Sequence, residues 1–344
     1  MTAMRIPFAL FMMWLLLLAA GCEHSTEPAP APSGTAATGT APAIATREAV
    51  STEPAAVGEV NGARVISTVP AATLQLVQLG AVDSLVGVST FDRLLLPQAK
   101  QTLPIVGDYL TFNYETIVGL HPTAMVVQIA DERLAPRLKE IAGEHHIELV
   151  NVKLDTLDDM VATARRLGKI TGREGAAEVR IARVRGNLAA IQAKLADLPR
   201  PKVVYIIFKK PLAIVGGRGF MNEVIGAAGG TNVGGSVNEY FPEITREELI
   251  KMAPDVILIA APEEPAARTL DDPRLADWLA IPTPAGKTGR IFLVTSPNAQ
   301  LNSLDFDTET LLLAKIIHPE IRDWTLTAPA GSEPRKSSAG GSGK

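Results

Sequence analysis

Cysteine occurs once in 344 residues, at Cys22. No intramolecular disulfide can form, no thiolate metal cluster can assemble, and no cysteine nucleophile is on offer. An excess of positive charge is missing too: 33 Lys and Arg stand against 37 Asp and Glu, and a net charge of −4 argues against nucleic acid as a partner. Histidine is scarce, with five in the chain: His24, His121, the adjacent His145 and His146, and His318. Neighbouring helical residues point about 100° apart, so His145 and His146 do not chelate together easily. All five are expected to be solvated, which disfavours a site for bare zinc or manganese. Catalytic signatures are lacking as well. There is no Gly-x-Ser-x-Gly elbow, and Gly286-Lys287-Thr288 ends like a phosphate loop with Ile281 where the leading glycine belongs. An enzyme is therefore not expected. With 47% apolar and 5% aromatic residues, the composition is that of a globular α/β protein, and the length suffices for two cores.

A membrane-spanning run is also absent. The apolar stretch Ile6 to Ala20, preceded by Arg5 and broken by Pro7, is short for a bilayer and typical of a signal h-region, so residues 1–21 are assigned to a targeting segment. It ends in Ala19-Ala20-Gly21-Cys22, which resembles a bacterial lipoprotein signal. The resemblance implies that Cys22 is lipidated and becomes the first residue; the alternative is a free thiol in a discarded peptide. Residues 22–60 are Ala, Pro, Thr, Ser, Gly and Glu with almost nothing to bury, and are expected to form a disordered tether with a reach of roughly 30–35 Å. The tail 327–344 is expected to lack structure for the same reason.

What is present is a duplication. The stretch Tyr109 to Val127 is echoed at Phe241 to Ile259 with a constant offset. Tyr109, Glu115, Ile117, Val118, Leu120 and Pro122 pair with Phe241, Glu247, Leu249, Ile250, Met252 and Pro254. Each copy predicts a loop, a short helix capped by Asn113 or Thr245, a proline that stops it, and a buried strand. Around these copies the pattern alternates strands and helices. The first lobe, 61–155, predicts strands at Ala63 to Ser67, Leu85 to Val88 and Ile147 to Val150, with helices from Pro70 and from Asp131 to Gly143. A connecting segment, 156–199, carries the longest helical pattern, Leu157 to Ile170 and, after an interruption at Gly172, Glu174 to Leu198, the latter reaching about 35–40 Å. The second lobe, 200–326, predicts strands at Lys202 to Phe208, Ala213 to Gly216 and Arg290 to Val294, and helices at Phe220 to Ala228, Pro273 to Leu279 and Asp305 to Ile317. The fold class is α/β: two Rossmann-like lobes with parallel strands, joined by a long rigid helix.

The lipoprotein-like leader, the two lobes, and the signatures Asn113-x-Glu115-x-Ile117…Pro122 and Thr245-x-Glu247-x-Leu249…Pro254-Asp255-Val256-Ile257 resemble the metal-chelate-binding proteins of bacterial ABC importers. The resemblance covers about Arg64 to Pro319. It implies the class III periplasmic binding protein fold, an extracytoplasmic location at the membrane through the lipid, and cargo that is a corrinoid such as vitamin B12, a ferric siderophore or haem. A permease with its ATPase is the implied partner, and no resident cofactor is implied. The spacing is most similar to the vitamin B12-binding type, in which an aromatic six residues before each of two glutamates faces the ligand and the glutamates dock onto permease arginines. Tyr109 and Phe241, with Glu115 and Glu247, occupy those positions.

The residues themselves leave alternatives. Glu115 and Glu247 each follow a cap by two positions, where a carboxylate also favours the helix dipole by about 0.3–1 kcal/mol. Glu248 completes a Thr-x-x-Glu capping box and is the structural acid of the pair. Phe91, Tyr109, Phe208 and Phe241 lie at strand ends or in following loops, where ligands of open α/β sheets sit; Phe208 reads as core. Tyr109 could also ligate haem iron through its phenolate. Arg218, in Gly-Gly-Arg-Gly at a helix start, either holds a carboxylate or phosphate with nearby backbone N–H groups or is simply solvated. Asn302-Ser303-Leu304-Asp305 stands where an Arg-Pro-x-Pro-Arg-like stretch is frequent in the family, which weighs against an anionic catecholate siderophore. A surface-tethered interaction module without a small ligand is the remaining class of function.

Overall fold

A computed structural model of the chain describes residues 62–108, 111–130, 133–262, 264, 272–296 and 303–326. The leader 1–21, Cys22, His24, the tether to residue 60, Tyr109, Asn302 and the tail 327–344 lie outside the described residues.

Short β-branched runs bounded by loops form the first sheet: β1 (Val65–Ser67), β2 (Leu85–Val88), β3 (Ala124–Val127) and β4 (Glu148–Asn151), all parallel, in the order β2-β1-β3-β4. Helix α1 (Pro70–Gln78) starts at a proline whose missing N–H costs nothing in the first turn. Helices α2 (Tyr114–Gly119) and α3 (Pro136–Glu144) complete the lobe. The second sheet holds β5 (Lys202–Lys209), β6 (Leu212–Ile214), β7 (Thr231–Asn232), β8 (Val256–Ala260) and β9 (Ile291–Val294). Its parallel strands run β7-β5-β8-β9, so the first lobe's topology is repeated. Helices α6 (Phe220–Ala227), α7 (Arg246–Met252), α8 (Pro273–Leu279), α9 (Pro284–Thr288) and α10 (Phe306–Ile317) belong to this half.

One strand departs from the all-parallel expectation. β6 pairs antiparallel with β5, with Ile206 opposite Ile214. Two residues separate the strands, and a crossover back to a parallel strand needs a dozen or more, so a hairpin is the available solution.

The connector is two helices, α4 (Leu157–Thr171) and α5 (Glu174–Leu195). Gly172, the interruption marked in the sequence, takes φ +66 and closes α4 in the left-handed conformation, and the chain turns back there. A Cβ added at Gly168 would come within 3.0 Å of the Ala177 Cβ, which shows how closely α4 and α5 pack. The 22 residues of α5 make it the longest helix among the described residues, about 33 Å. It carries a polar hub. Arg180 and Arg183 reach Asp305 just before α10 at 2.5 and 3.2 Å, Asn187 reaches Asp307 of α10 at 2.6 Å, and Gln78 at the end of α1 donates to Asp305 at 2.5 Å. First lobe, connector and last helix thus share one carboxylate. Beneath the hub, one apolar core runs through both lobes, from Val65, Leu85 and Val126 past Leu167, Ile181 and Val184 to Val203, Leu258 and Leu313.

The duplicated helices are built as their sequences require. The Asn113 side chain accepts from the Thr116 N–H at 3.0 Å, and the Thr245 hydroxyl accepts from the Glu248 N–H at 3.2 Å. Both helices end in a left-handed non-glycine residue before the matched proline, His121 at φ +44 and Ala253 at φ +47. Both bury the equivalent apolar residue, Ile117 and Leu249, completely. Expected outcome: Asn113→Ala and Thr245→Ala each lower unfolding stability in urea by about 1 kcal/mol. Thr245→Ala is the costlier, because the Glu248 carboxylate that returns to the Thr245 N–H and hydroxyl loses part of its set of donors.

Candidate functional site

Arg218 owes its position to three glycines. A Cβ at Gly216 would meet the Glu239 carbonyl at 2.2 Å and one at Gly217 the Gly235 carbonyl at 2.2 Å, while Gly219 takes φ +98. Only a glycine-rich strand can run this close to the 235–240 segment. The two segments are stitched by hydrogen bonds from the Gly216, Gly217 and Arg218 N–H groups to Tyr240, Val237 and Glu239 carbonyls, at 2.9, 2.8 and 3.0 Å. Those N–H groups are therefore occupied. An anion at this loop would find no free donor in these three N–H groups, while the Arg218 side chain is exposed.

That guanidinium lies over the Tyr240 ring, 4.6 Å from its centroid, and the Tyr240 and Phe241 rings lie 6.4 Å apart. The Tyr240 hydroxyl donates to Asp155 of the opposite lobe at 2.6 Å. Burial, together with the hydrogen bond to Asp155, pushes the phenol up to about 12, so it keeps its proton and its role as donor. Asp155 precedes the Thr156 cap of α4. One residue past that cap, the Leu157 N–H donates to Glu223 of α6 at 2.9 Å. Two polar contacts thus tie α4's amino end to the second lobe beside Arg218, Tyr240 and Phe241.

Phe241 is half-buried and packs against the rim of the main core, and Phe208 does likewise, in keeping with its reading as a packing residue. Phe91 is half-buried at the carboxyl end of the first sheet, with its N–H on the Ser89 hydroxyl at 3.2 Å. Glu115 and Glu247 are exposed in the first turns of α2 and α7, with no ion pair among the described residues, whereas Glu248 is held by Thr245. The structure therefore brings Arg218 and Phe241 together, puts Phe91 in the other lobe, and leaves the two glutamates outward. Tyr109 lies outside the described residues.

Sequence reasoning missed Tyr240, Asp155 and Asp92. Tyr240 stands one place before the duplicated unit, so the repeat gave it no mark, and Asp155 lies between β4 and α4, where no motif marked it. Asp92 is fully buried at the ends of β1 and β2, bonded to Thr73 at 2.5 Å, to the Ser89 N–H at 3.1 Å and to the Ser89 hydroxyl. Those donors anchor the loop that carries Phe91, yet burial outweighs them and lifts the carboxyl to about 7. Glu309 on α10 is likewise raised to about 7 by burial. His318 corrects the reading of all histidines as solvated: it is 2% exposed, its Nε2 lies 3.3 Å from the Gly229 carbonyl, and burial lowers its pKa.

A two-lobed α/β scaffold with repeated parallel sheets, a helical connector and matched outward acids defines a class III solute-binding fold. The family model for periplasmic binding proteins matches residues 65–297, and the chain belongs to that family. Its members are binding proteins of extracytoplasmic transport, not enzymes. A cobalamin-binding protein of Halobacterium salinarum is 29% identical over 200 residues, covering 57% of this chain and 53% of that protein, so this chain spans about half of that relative's length. A vitamin B12-binding protein of Vibrio vulnificus is 26% identical over 235 residues, 64% of this chain and 85% of that protein. The crystal structure of the periplasmic haem-binding protein HutB of Vibrio cholerae superposes with a TM-score of 0.62 at 22% identity, covering 75% of this chain and 100% of that one.

The raised acids carry a signed prediction. Because Asp92 and Glu309 bind their protons more tightly folded than unfolded, their stabilisation is complete below the ordinary carboxyl range and is lost as pH rises toward about 7. Unfolding free energy measured by denaturant between pH 4.5 and 7.5 should decline with pH in the wild type. In Glu309→Gln, and more so with Asp92→Asn added, that decline should flatten.

Proposed function

We propose that this chain is a lipid-anchored solute-binding protein, tethered through Cys22, that captures a corrinoid between its lobes and delivers it to an ABC permease with its ATPase. The observation that carries the reading is the pair of matched units. Each sets an aromatic position six residues before an outward glutamate on a capped helix, one in each lobe, and relatives sharing this family are cobalamin- and vitamin B12-binding proteins. Tyr109, Phe241 and Phe91 would supply flat apolar contact with few rotors to freeze, and Arg218 a cation at the same margin. Glu115 and Glu247, outward and free of ion pairs among the described residues, would engage basic sites on the permease.

Haem is the second reading, favoured by the likeness in fold to the haem-binding HutB, with Tyr109 as the iron ligand. A ferric catecholate siderophore is disfavoured. The Asp305 that stands in the family's arginine-rich stretch is committed to Arg180, Arg183 and Gln78.

The test separates capture from delivery. Tyr109→Ala and Phe241→Ala should each weaken cyanocobalamin binding about tenfold in equilibrium titration, the loss of roughly 1.4 kcal/mol of ring contact. The double variant Glu115→Ala, Glu247→Ala should bind normally and deliver poorly in a vesicle uptake assay with the cognate permease. Equal loss of affinity in all of these variants would defeat the division of labour.

A further inference from the structure

We propose that Arg218 recognises an oxyanion, a carboxylate or a phosphate, carried on the edge of the chelate, and that Tyr240 is the positioning residue that aims it. The proposal rests on the reading that the chain binds a metal chelate, and it adds a chemical requirement on which chelates are held.

Arg218 differs from the paired surface arginines in what it touches; Arg133, Arg246 and Arg322 are also exposed without an ion pair among the described residues, and what sets Arg218 apart from them is the ring it lies over. Arg137, Arg165, Arg166 and Arg185 are spent on Glu140, Glu178, Glu148 and Asp158, and Arg64 and Arg200 on backbone carbonyls. Arg218 is exposed, and among the described residues it lies within ion-pair distance of no carboxylate; its partner is a ring. Stacking engages one face of the exposed guanidinium, and a guanidinium's fork of N–H donors fits a carboxylate or phosphate in bidentate fashion. The backbone beneath it is pinned by the three glycine-loop hydrogen bonds, so the fork is carried on a fixed stem.

Tyr240 is fixed in turn. Its hydroxyl is held by Asp155 from the opposite lobe, and its ring neighbours Phe241, the aromatic proposed to face the chelate. The cation thus sits one ring away from the apolar contact and is oriented by a bond that crosses between lobes. An apolar rim with one aimed cation suits a flat ligand that is uncharged over its face and anionic at its margin.

Two ligand classes carry such a group: a corrinoid through the phosphate of its nucleotide loop, and haem through its propionate carboxylates. The experiment uses the full chain and four probes. Cyanocobalamin is compared with dicyanocobinamide, which lacks the phosphate, and hemin with its dimethyl ester, which lacks the free carboxylates. In equilibrium titrations Arg218→Gln should lower affinity about tenfold for the anionic member of the pair that binds and leave its partner within about twofold; Arg218→Lys should recover part of the loss. Tyr240→Phe, which keeps the ring and drops the bond to Asp155, should cost about threefold on the same member, and Tyr240→Leu should approach Arg218→Gln. Loss confined to cyanocobalamin assigns the phosphate, and loss confined to hemin assigns the carboxylate. Equal loss on charged and uncharged probes, or no loss on either, overturns the role of Arg218 while leaving chelate capture intact. Failure of the wild type to bind any of the four overturns the capture reading itself, and this proposal with it.

Discussion

Asp305 is the point on which the architecture turns. Its carboxylate takes Gln78 from α1, and Arg180 and Arg183 from α5, while the adjacent Leu304 N–H returns a bond to the Gln78 amide oxygen. Farther along α5, Asn187 donates to Oδ2 of Asp307, which is 1% exposed, while the Asp307 Oδ1 has no hydrogen-bond partner among the described residues and lies 3.8 Å from Arg183. Partly buried ion pairs add little net stability, because desolvation offsets the attraction, but removing one partner leaves an uncompensated charge and costs several times more, about 3–5 kcal/mol in buried cases. The hub therefore specifies where α1, α5 and α10 sit relative to one another more than it stabilises them.

That specification reaches the site. With one apolar core running through both lobes and a shared carboxylate behind them, the lobes have little freedom to swing. The front of the molecule is held in the same spirit by Tyr240 to Asp155 and by Glu223 to the first N–H of α4. Wide domain closure relies on loop hinges, and here the link between lobes is a helical hairpin pinned at both faces. The proposed site between such lobes would be largely preformed, and its selectivity would then come from the rings and the cation proposed to line it.

Local chemistry explains why so much was readable in advance. Asn113 and Thr245 cap helices because short polar side chains satisfy orphan N–H groups, Pro122 and Pro254 end them, and the β-branched runs that follow are buried on both faces of parallel sheets. Each of these needs only a few neighbouring residues, and each stood where the spacing put it. The antiparallel β6 and the turn at Gly172 were also local, yet a strand-and-helix pattern does not state the sign of a pairing or the direction a helix takes after a break. His318 shows the limit from the other side: a lone polar residue near a helix end carries no local mark of burial, and it is Gly229, far away in the chain, that covers it.

The amino-acid order by itself determined the doubled plan, the capped helices with their outward acids, the glycine-rich approach to Arg218, and the class of scaffold, since all of these follow from short-range sterics, capping and hydrophobic period. Only the tertiary structure decided that Arg218 meets Tyr240, that Tyr240 answers to Asp155 across the lobes, that Asp92 is sealed beneath the Phe91 loop, and that Asp305 gathers three helices. Those contacts join residues as far as 227 positions apart. Their existence depends on how two sheets and a helical hairpin pack in space, and no local pattern in the chain encodes that packing.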